Sequence, residues 1–442
     1  MPSRPSFRAS AARLRALDPA LLLLAAMVFV VQVGVAVMLP LLPLYARELG
    51  ATPTVLGLLT SIFAVTNAAG QFLTGFLSER LAMRRVLAAG IGSYALANFL
   101  IVGATSAGAL ILFRGFAGLG GGVMLVGERL YLAQLVDHAR LGFANGVLSA
   151  AGSAGSVMGP AIGGLLATLG DLRLPFLLVA VTSTLATIGA LFLPRPPTER
   201  GSAKSPATPS ERAETKPPDT PTDARTPAEA DPPVRSDRRR LLILLLAQVG
   251  LMSSFGAFIT TYGPFAEEQL GWVTAEIGLV FALFGAGSII FGPWLGRQAD
   301  RHGRRNIAIL ATVPVVLFSA VYWLEAPRLL LYVSSVLAGG GIAGVSASWY
   351  ALLAEATGGG RKSRQFATVA ALGNLGIIVG ATVAAQLWEA LDDVSIGLVV
   401  AAVSVVGTAF AFALLPADRP PPPEQEAVGG EVLQRDQTAV TQ

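Results

Sequence analysis

The sequence predicts an all-α membrane protein in which twelve transmembrane helices form two pseudo-symmetric six-helix bundles. Three observations predict this fold: the composition, a series of twelve apolar stretches and an internal repeat. Of the 442 residues, 53% are hydrophobic and only 14% are charged. Soluble domains average about 25% charged residues, so this chain has too few polar side chains to cover a water-exposed surface. The composition therefore favours a multi-pass protein in a lipid bilayer.

The composition also excludes several classes of site. The chain has no cysteine, which rules out disulfides and thiol-ligated metals, and His138 and His302 are too few for a histidine metal centre. We therefore expect no metal and no cofactor. Arg and Lys occur in short clusters between apolar stretches, so we expect no nucleic-acid binding. No apolar stretch contains a histidine or a clustered Ser/His/Asp set, so we expect a protein that is not an enzyme.

Twelve apolar stretches are each long enough to cross a bilayer. A hydrocarbon core of about 30 Å needs roughly 20 apolar residues in a helix. Single Gly and Pro residues are compatible with such a helix, because neighbouring helices satisfy the freed backbone groups. The predicted spans are about 20–44, 54–77, 85–104, 108–133, 142–166, 174–193, 240–264, 275–296, 305–324, 328–351, 365–388 and 394–415.

The distribution of Lys and Arg orients these spans. Of the 32 basic residues, 27 lie in the two termini and in the connections that follow even-numbered spans. Arg47, Arg173 and Arg328 lie on the other side, and Arg114 and Arg129 lie within the fourth span. Because loops rich in Lys and Arg stay in the cytoplasm, both termini are predicted to be cytoplasmic. Arg outnumbers Lys 29 to 3 and Ala is abundant, which is typical of a GC-rich bacterial gene and predicts a bacterial inner (plasma) membrane.

Composition also divides the chain into segments. Residues 195–239 are rich in Pro, Ala, Thr and charge and cannot bury enough apolar area to fold, which predicts a disordered cytoplasmic linker. This linker separates the first six spans from the last six. The predicted segments are a cytoplasmic tail at 1–19, a first six-helix bundle at 20–194, the linker at 195–239, a second six-helix bundle at 240–416 and a cytoplasmic tail at 417–442.

The two halves repeat each other at an offset of 221 residues. Gly, Leu and Ala often agree by chance in such a composition, but the charged connections recur as well. Two similar six-helix halves, related by an axis along the membrane normal, are typical of transporters with a site between the halves near the midplane. The matching pairs include Pro43 and Pro264, Gly57 and Gly278, Phe63 and Phe284, Gly75 and Gly296, Arg80 and Arg301, Arg84 and Arg305, and Gly118 and Gly339.

Three motifs carry a resemblance to a known family. GRQADRHGRR, from Gly296 to Arg305, follows the eighth span, and its first copy, GFLSERLAMRR from Gly75 to Arg85, has Glu79 in place of Asp. LILFRGFAGLG, from Leu110 to Gly120, places an arginine within the fourth span, and GSVMGPAIGG, from Gly155 to Gly164, lies in the fifth. With these motifs the chain resembles the major facilitator superfamily, and within it the twelve-helix drug:proton antiporter-like branch.

The resemblance implies an activity. It implies a secondary active transporter that works by alternating access, with proton-coupled efflux of lipophilic small molecules or drugs as the leading interpretation. A small-molecule substrate and protons would be its partners, and we expect a monomer. The alternative is a proton-coupled importer or facilitator of a small metabolite, which the shortage of cavity carboxylates favours and the motif of the fifth span disfavours. Many of the resembling drug:proton antiporters carry an acidic residue in the first span, and this chain has none between Ala20 and Leu44. A receptor would need an ordered output domain, which the linker and tails do not offer.

The charged connections predict a cytoplasmic gate. A carboxylate at the end of one helix can pair with nearby arginines or accept hydrogen bonds from a helix N-terminus, and exchange of such contacts would bias one state over another. The alternative is that these clusters only anchor the topology. The predicted gate residues are Gly75, Glu79, Arg80, Arg84, Gly296, Asp300, Arg301, Gly303, Arg304 and Arg305.

Two charged residues of the fourth span define a helix face. Glu128 follows Arg114 by fourteen residues, which at about 100° per residue is about 40° short of four full turns. The two side chains therefore share one face of the helix. An intramembrane arginine usually faces a cavity or a partner, although Arg114 could also snorkel to the nearer surface. Glu128 is predicted to couple protons, because a low-dielectric cavity with water access favours the protonated carboxyl. The alternative for Glu128 is a static ion pair, with Arg129 or with an arginine of a neighbouring helix.

Two further groups of residues complete the predicted site. Small residues at four-residue spacing let helices approach closely, and a proline removes a backbone donor and can bend its helix. In the resembling antiporters the glycine motif is thought to restrict leakage, and dense packing without a directional role is the alternative. The glycine motif comprises Gly155, Gly159, Pro160, Gly163 and Gly164. The cavity set, on helices that line the cavity in the resembling family, comprises Gln32, Arg114, Glu128, Tyr262 and Trp349.

Overall fold

Twelve long helices account for nearly all of the chain that the structure describes. The structure, a computed structural model, describes residues 19–136, 140–194, 238–357, 368–369 and 371–416. Each helical segment is long and apolar enough to cross a membrane, as the sequence predicts. The helices are α1 (Pro19–Glu48), α2 (Pro53–Ser78), α3 (Met83–Val102), α4 (Ala107–Leu135), α5 (Leu141–Ala167), α6 (Arg173–Phe192), α7 (Arg238–Glu268), α8 (Thr274–His302), α9 (Arg304–Trp323), α10 (Arg328–Thr357), α11 (Gly376–Leu391) and α12 (Ile396–Ala413).

Several helices extend beyond their predicted spans, and α8 and α10 extend the furthest. α8 and α10 continue past residues 296 and 351 to His302 and Thr357. Hydropathy marks only the part of a helix that lies in hydrocarbon, and the polar residues that follow still favour helix. α8 ends at Gly303, whose φ of 94° is a conformation that glycine adopts without strain.

The eleventh span begins irregularly. Before α11 the backbone makes tight i to i+3 bonds, including one from Leu375 N to the Leu372 carbonyl oxygen at 3.1 Å. These bonds interrupt the regular α-helix, so α11 begins later than the predicted start of the span. Three predicted segments lie outside the described residues, apart from Pro19, Arg238 and Arg239: the tail at 1–19, the linker at 195–239 and the tail at 417–442.

The helices pack in the same pattern in both halves. In the N-terminal half α1 packs on α5 and α6, α4 packs on α2 and α3, and α3 packs on α6. In the C-terminal half α7 packs on α11 and α12, α10 packs on α8 and α9, and α9 packs on α12. Contacts between the halves, α5 with α8 and α11 with α2, are also related by the repeat. The two pseudo-symmetric six-helix bundles predicted from the sequence are therefore confirmed.

Repeated glycines allow the closest of these helix contacts. A Cβ atom at Gly118 would lie 2.6 Å from the carbonyl oxygen of Phe63, so α4 and α2 touch backbone to backbone. The equivalent Gly339 packs on the equivalent Phe284, where a Cβ would also strike the carbonyl oxygen. Close approach of this kind lets helices pack in lipid, where no hydrophobic effect drives them together.

The two ends of the bundle carry different charge. We call the end where odd-numbered helices begin and even-numbered helices end the basic face, because Arg84, Arg240, Arg304 and Arg305 lie there. We call the other end the opposite face. The positive-inside rule predicts that the basic face is cytoplasmic.

The hydrophobic cores indicate that the halves are closed at one end. Towards the opposite face a single core contains residues of both halves, among them Leu41, Phe176 and Phe265. Towards the basic face, separate cores fill the N-terminal half around Tyr131 and the C-terminal half around Trp349. The described halves therefore share one buried apolar core towards the opposite face and have separate cores towards the basic face.

Alanine at Gly380 should destabilise the protein, whereas alanine at Gly407 should not. A Cβ at Gly380 would collide with the backbone of Ser253 on α7, while a Cβ at Gly407 would meet no atom within 4 Å. Overpacking of this kind costs about 1–3 kcal/mol. We expect Gly380→Ala to lower the melting temperature of the detergent-solubilised protein by about 1–3 °C, and Gly407→Ala to leave it unchanged. Equal melting temperatures for the two variants would contradict the close packing of α11 on α7.

Candidate functional site

Towards the opposite face the two halves meet along two related seams. In the first seam Gly278 of α8 lies against Pro160 of α5, so closely that a Cβ at Gly278 would strike the Pro160 carbonyl oxygen. The hydroxyl of Thr274 on α8 donates to the Gly164 carbonyl oxygen at 3.3 Å. Two members of the predicted glycine motif therefore lie on the boundary between the halves.

The second seam, between α2 and α11, repeats this contact. A Cβ at Gly57 would lie 2.9 Å from the carbonyl oxygen of Ala381. Gly57 and Ala381 are the repeat equivalents of Gly278 and Pro160. The halves are therefore closed by the same backbone contact on both sides of the pseudo-twofold axis.

Hydroxyl pairs support this closure. Ser61 Oγ of α2 lies 3.2 Å from Thr382 Oγ1 of α11, and Thr60 Oγ1 of α2 lies 3.1 Å from Thr260 Oγ1 of α7. Each pair joins one half to the other. The hydroxyls satisfy each other while the halves are closed and can bond to water when they separate.

An ion pair that the sequence analysis missed lies at the same face. Arg47 at the end of α1 pairs with Glu268 at the end of α7 and lies 3.9 Å from Glu267. In the sequence Arg47 is only an exception to the charge bias. The repeat supplies the missing signal, because Arg47 and Glu268 are equivalent positions, and residues near a twofold axis face their own equivalents.

The other motif glycines face α1. Gly155, Gly159 and Gly163 recur every four residues, and a Cβ on any of them would crowd α1. Gln32 is part of this contact, since a Cβ at Gly155 would lie 2.9 Å from the Gln32 Cβ. Gly164 faces α8 instead. One side of the motif thus packs α5 on α1, and the neighbouring side packs α5 on α8 of the C-terminal half.

The N-terminal gate residues stand apart from one another. Gly75, Glu79 and Arg80 are exposed at the end of α2, and a Cβ at Gly75 would meet nothing within 4 Å. Glu79 forms no ion pair with any described residue. Arg84 donates from Nη1 to the carbonyl oxygen of Leu193, just beyond α6, at 3.2 Å.

The C-terminal gate residues form a charge network. Arg304 of α9 donates to Asp300 of α8 at 3.1 Å and also pairs with Glu355 of α10. Glu355 in turn accepts from Arg240 of α7 at 2.8 Å. Four helices of this half are therefore joined by alternating charges. The sequence gives no sign that Glu355 and Arg240 contact Arg304, because they lie near the ends of other helices, α10 and α7.

The remaining C-terminal gate residues have separate roles. Arg305 donates to the carbonyl oxygens of Phe412 at 3.3 Å and Ala413 at 2.8 Å, and so ties α9 to the end of α12. Arg301 is exposed, and Gly303 separates α8 from α9. A Cβ at Gly296 would meet nothing within 4 Å.

The two gate clusters are chemically unequal. The repeat equivalents of Arg304, Glu355 and Arg240 in the N-terminal half are Met83, Gln134 and Pro19. The charge network therefore has no N-terminal counterpart. Among the described residues, each cluster forms its ion pairs and hydrogen bonds with residues of its own half. This pattern fits halves that are apart at the basic face.

Arg114 is buried within the N-terminal half. Only 7% of the residue is exposed, and its guanidinium carbon lies 3.9 Å from the centroid of the Phe63 ring. Nη1 lies 3.6 Å from Met38 Sδ, and Nε has no hydrogen-bond partner among the described residues. The side chain therefore does not snorkel to the surface, and the contact with the Phe63 ring stabilises its charge between α1, α2 and α4.

Glu128 lies in a narrow pocket of the same half. The residue is 9% exposed, and the pocket is lined by Leu24 and Val31 of α1 and by residues of α3. Arg129 Nε lies 3.9 Å from Glu128 Oε1, and Arg129 also donates to Asn145 Oδ1 at 3.0 Å. Glu128 therefore has mainly apolar walls and one long ion pair within the described part of the chain.

The aromatic members of the cavity set lie in the packed interior. Trp349, the repeat equivalent of Glu128, is 1% exposed and donates from Nε1 to the Leu244 carbonyl oxygen at 2.8 Å. Tyr262 is fully buried among other rings, with its ring centroid 4.8 Å from that of Phe258. The structure therefore does not gather the five residues of the cavity set around one open space.

Comparison with known proteins gives a family match over nearly the whole chain. The family described as Major Facilitator Superfamily matches residues 24–273 and 244–439. Quinolone resistance protein NorA of Staphylococcus aureus is 27% identical over 180 residues, which is 40% of this chain and 46% of that protein. The aligned region thus spans under half the length of that relative. Multidrug resistance protein 1 of Bacillus subtilis is 23% identical over 302 residues, 66% of this chain and 72% of that protein.

Solved structures share the fold. The nucleoside transporter NupG has a TM-score of 0.71 at 15% identity, over 90% of this chain and 98% of that one. A bacterial homologue of the human lysosomal transporter Spinster, in an inward-facing and occupied conformation, has a TM-score of 0.68 at 14% identity, over 93% and 97%. Similarity at this level of identity concerns the fold alone.

Disulfide formation should occur at the opposite face and fail at the basic face. The chain has no cysteine, so an introduced pair reports without background. The hydroxyls of Ser61 and Thr382 are 3.2 Å apart, within reach of a disulfide. Ser61→Cys with Thr382→Cys should therefore crosslink under mild oxidation, measured by mass spectrometry of non-reduced peptides.

The matched control pair lies on the same two helical segments at the basic face. Gly75→Cys with Leu372→Cys should crosslink much more slowly, because Gly75 has an empty neighbourhood and Leu372 is exposed. Faster crosslinking of this control pair than of the Ser61 and Thr382 pair would contradict closure at the opposite face.

Proposed function

The chain belongs to the Major Facilitator Superfamily, and on that premise we propose that it is a proton-coupled exporter of lipophilic small molecules. Its twelve apolar helices make it a multi-pass membrane protein, and its structural neighbours are transporters. The observation that carries the proposal is the division of the hydrophobic core, which is single towards the opposite face and double towards the basic face. A protein with this shape can offer its centre to one side of a membrane at a time.

The proposed cycle exchanges closure between the two faces. We place the basic face and both termini in the cytoplasm of a bacterial cell, because positively charged loops remain on that side. The structure then corresponds to the state open to the cytoplasm. Rotation of the halves would separate the seams at Gly278 and Gly57, break the pair between Arg47 and Glu268, and close the basic face.

Three features support export of lipophilic compounds. Two relatives carry names that refer to quinolone and multidrug resistance. Pro160 and Gly164 of the motif that resembles that of antiporters lie on the seam between the halves. Among the described residues, Arg114 and Glu128 are the buried charged ones. The interior therefore has few charges that could pair with a multiply charged cargo.

Glu128 is the residue that we propose to carry the proton. Its pocket walls are apolar, and its long contact with Arg129 is shared with Asn145. A static ion pair would stabilise both charges better with a short, bidentate contact. A carboxylate in this setting can exist with or without a proton, which proton coupling requires.

Glu128→Gln should abolish pH-driven accumulation of a fluorescent quinolone in inverted membrane vesicles. The amide keeps the size of the side chain but cannot release a proton. Asp392→Asn is the matched control, because it neutralises an exposed carboxylate at a left-handed turn position that Asn also tolerates. Normal accumulation by Glu128→Gln would place the coupling residue elsewhere in the chain.

Asp300→Asn should slow transport several-fold without altering insertion. The exposed pair of Asp300 with Arg304 contributes only about 0.3–0.5 kcal/mol to stability. The carboxylate matters instead when the basic face closes and it meets the other half. Initial transport rates normalised to protein in the membrane are the measurement, and Glu325→Gln at the opposite face is the control. Unchanged rates in Asp300→Asn would reduce the gate residues to topology anchors.

Import of a small metabolite is the second candidate. α1 contains a single acidic residue, Glu48, at its very end, so it offers no carboxylate near the membrane centre. A screen of lipophilic drugs and polar metabolites in proteoliposomes, with a pH gradient imposed in either direction, separates the two candidates. Accumulation of metabolites and not of drugs would favour import.

A further inference from the structure

A cavity of about 110 Å³ lies within the C-terminal half. Rings of Phe258 on α7, Phe284 on α8 and Phe318 on α9 form its walls, together with aliphatic side chains that include Leu251. Phe258 and Phe318 belong to the core that joins both halves, whereas Leu251 belongs to the core of the C-terminal half alone. The cavity therefore lies at the depth where the core shared by both halves gives way to the separate core of the C-terminal half.

The N-terminal half fills the equivalent place with its own side chains. From a Cβ at Gly121, Phe63 Cζ is 3.7 Å away and Tyr94 Cδ2 is 3.8 Å away, so these residues lie together. The Tyr94 ring thus takes up space between α2 and α4. The repeat equivalents on the cavity wall are Phe284 for Phe63, Val315 for Tyr94 and Ile342 for Gly121.

The residue that covers the equivalent phenylalanine ring also differs between the halves. Arg114 covers the Phe63 ring in the N-terminal half, and its repeat equivalent is Ser335. Ser335 is short and donates to the Leu331 carbonyl oxygen of its own helix at 2.7 Å. Val315 and Ser335 are shorter than their equivalents Tyr94 and Arg114, whereas Phe258 and Phe318 replace Val37 and Ala97. The C-terminal half therefore keeps a space beside Val315 and surrounds it with aromatic rings.

We propose that this cavity binds one aromatic ring of a lipophilic substrate. Apolar cavities of about 150 Å³ stay dry and accept benzene, and aromatic rings pair favourably at centroid distances of about 4.5–7 Å. The hydroxyls of Ser254 and Ser319 are the polar side chains on the wall, and no charged side chain lines it. A carboxylate-bearing group is therefore excluded. The assignment rests on the proposed function only in treating the ring as part of a transported molecule.

Photolabelling of the full-length protein in proteoliposomes tests the assignment. The probe is 3-trifluoromethyl-3-phenyldiazirine, whose phenyl ring fits the cavity, and labelled peptides are mapped by mass spectrometry. We expect labelling of residues 251–258 and 315–319 to saturate with probe concentration and to be displaced by toluene. Labelling of lipid-facing surfaces rises linearly instead.

Two variants fill the cavity, and one matched variant leaves it open. Val315→Tyr restores the residue of the N-terminal half, and Ser319→Phe fills the space from the next turn of α9; each should reduce saturable labelling by about tenfold. Val313→Tyr makes the same change at a residue of α9 that is 47% exposed, and it should have no effect. Non-saturable labelling of the wild type, or saturable labelling that persists in both filled variants, would overturn the proposal.

Transport measured on the same wild-type proteoliposomes keeps the two proposals distinct. Saturable ring labelling without transport of any lipophilic compound would contradict export and leave the ring site standing. Transport without saturable labelling would contradict the ring site and leave export standing.

Discussion

The closed opposite face depends on backbone contact at two glycine seams. At Gly278 against Pro160, and at Gly57 against Ala381, no side chain separates the halves. Such contacts give dispersion attraction over a large area but do not interlock rotamers. The seams can therefore separate without repacking either half. The hydroxyl pairs and the ion pair of Arg47 with Glu268 add polar contacts that fix how the halves are aligned when closed. Water can replace these contacts when the seams open.

The duplicated scaffold carries different chemistry in its two halves. Helix pairs, glycine contacts and seams follow the repeat, whereas the interiors do not. The N-terminal half buries Arg114 and Glu128, while the equivalent positions in the C-terminal half are Ser335 and Trp349. Trp349 donates to the Leu244 carbonyl oxygen, and Ser335 donates to the Leu331 carbonyl oxygen of its own helix. One half thus buries charged side chains and the other buries aromatic rings, on the same framework.

The sequence predicts the fold well because the bilayer restricts the choices. A chain this apolar must cross the membrane as helices, and the offset of 221 residues fixes the symmetry. The site is harder to predict. Membrane helices are apolar on all sides, so hydropathy identifies a span but not which side of it faces a cavity. The sequence therefore predicts Tyr262 and Trp349 in the cavity, whereas the structure packs them in the interior. Arg47, Glu355 and Arg240 were missed because counting charges gives topology and says nothing about pairing.

The central claim is that two rigid halves rock so that the glycine seams separate, and distances between spin labels test it most directly. Labels at the repeat equivalents Arg80 and Arg301 report on the basic face, and labels at Asp171 and Asp392 report on the opposite face. All four positions are exposed, and the absence of native cysteine allows clean labelling. On addition of a transported compound, the distance at the basic face should shorten while the distance at the opposite face lengthens. Unchanged distances at both faces, or changes of the same sign, would contradict the account.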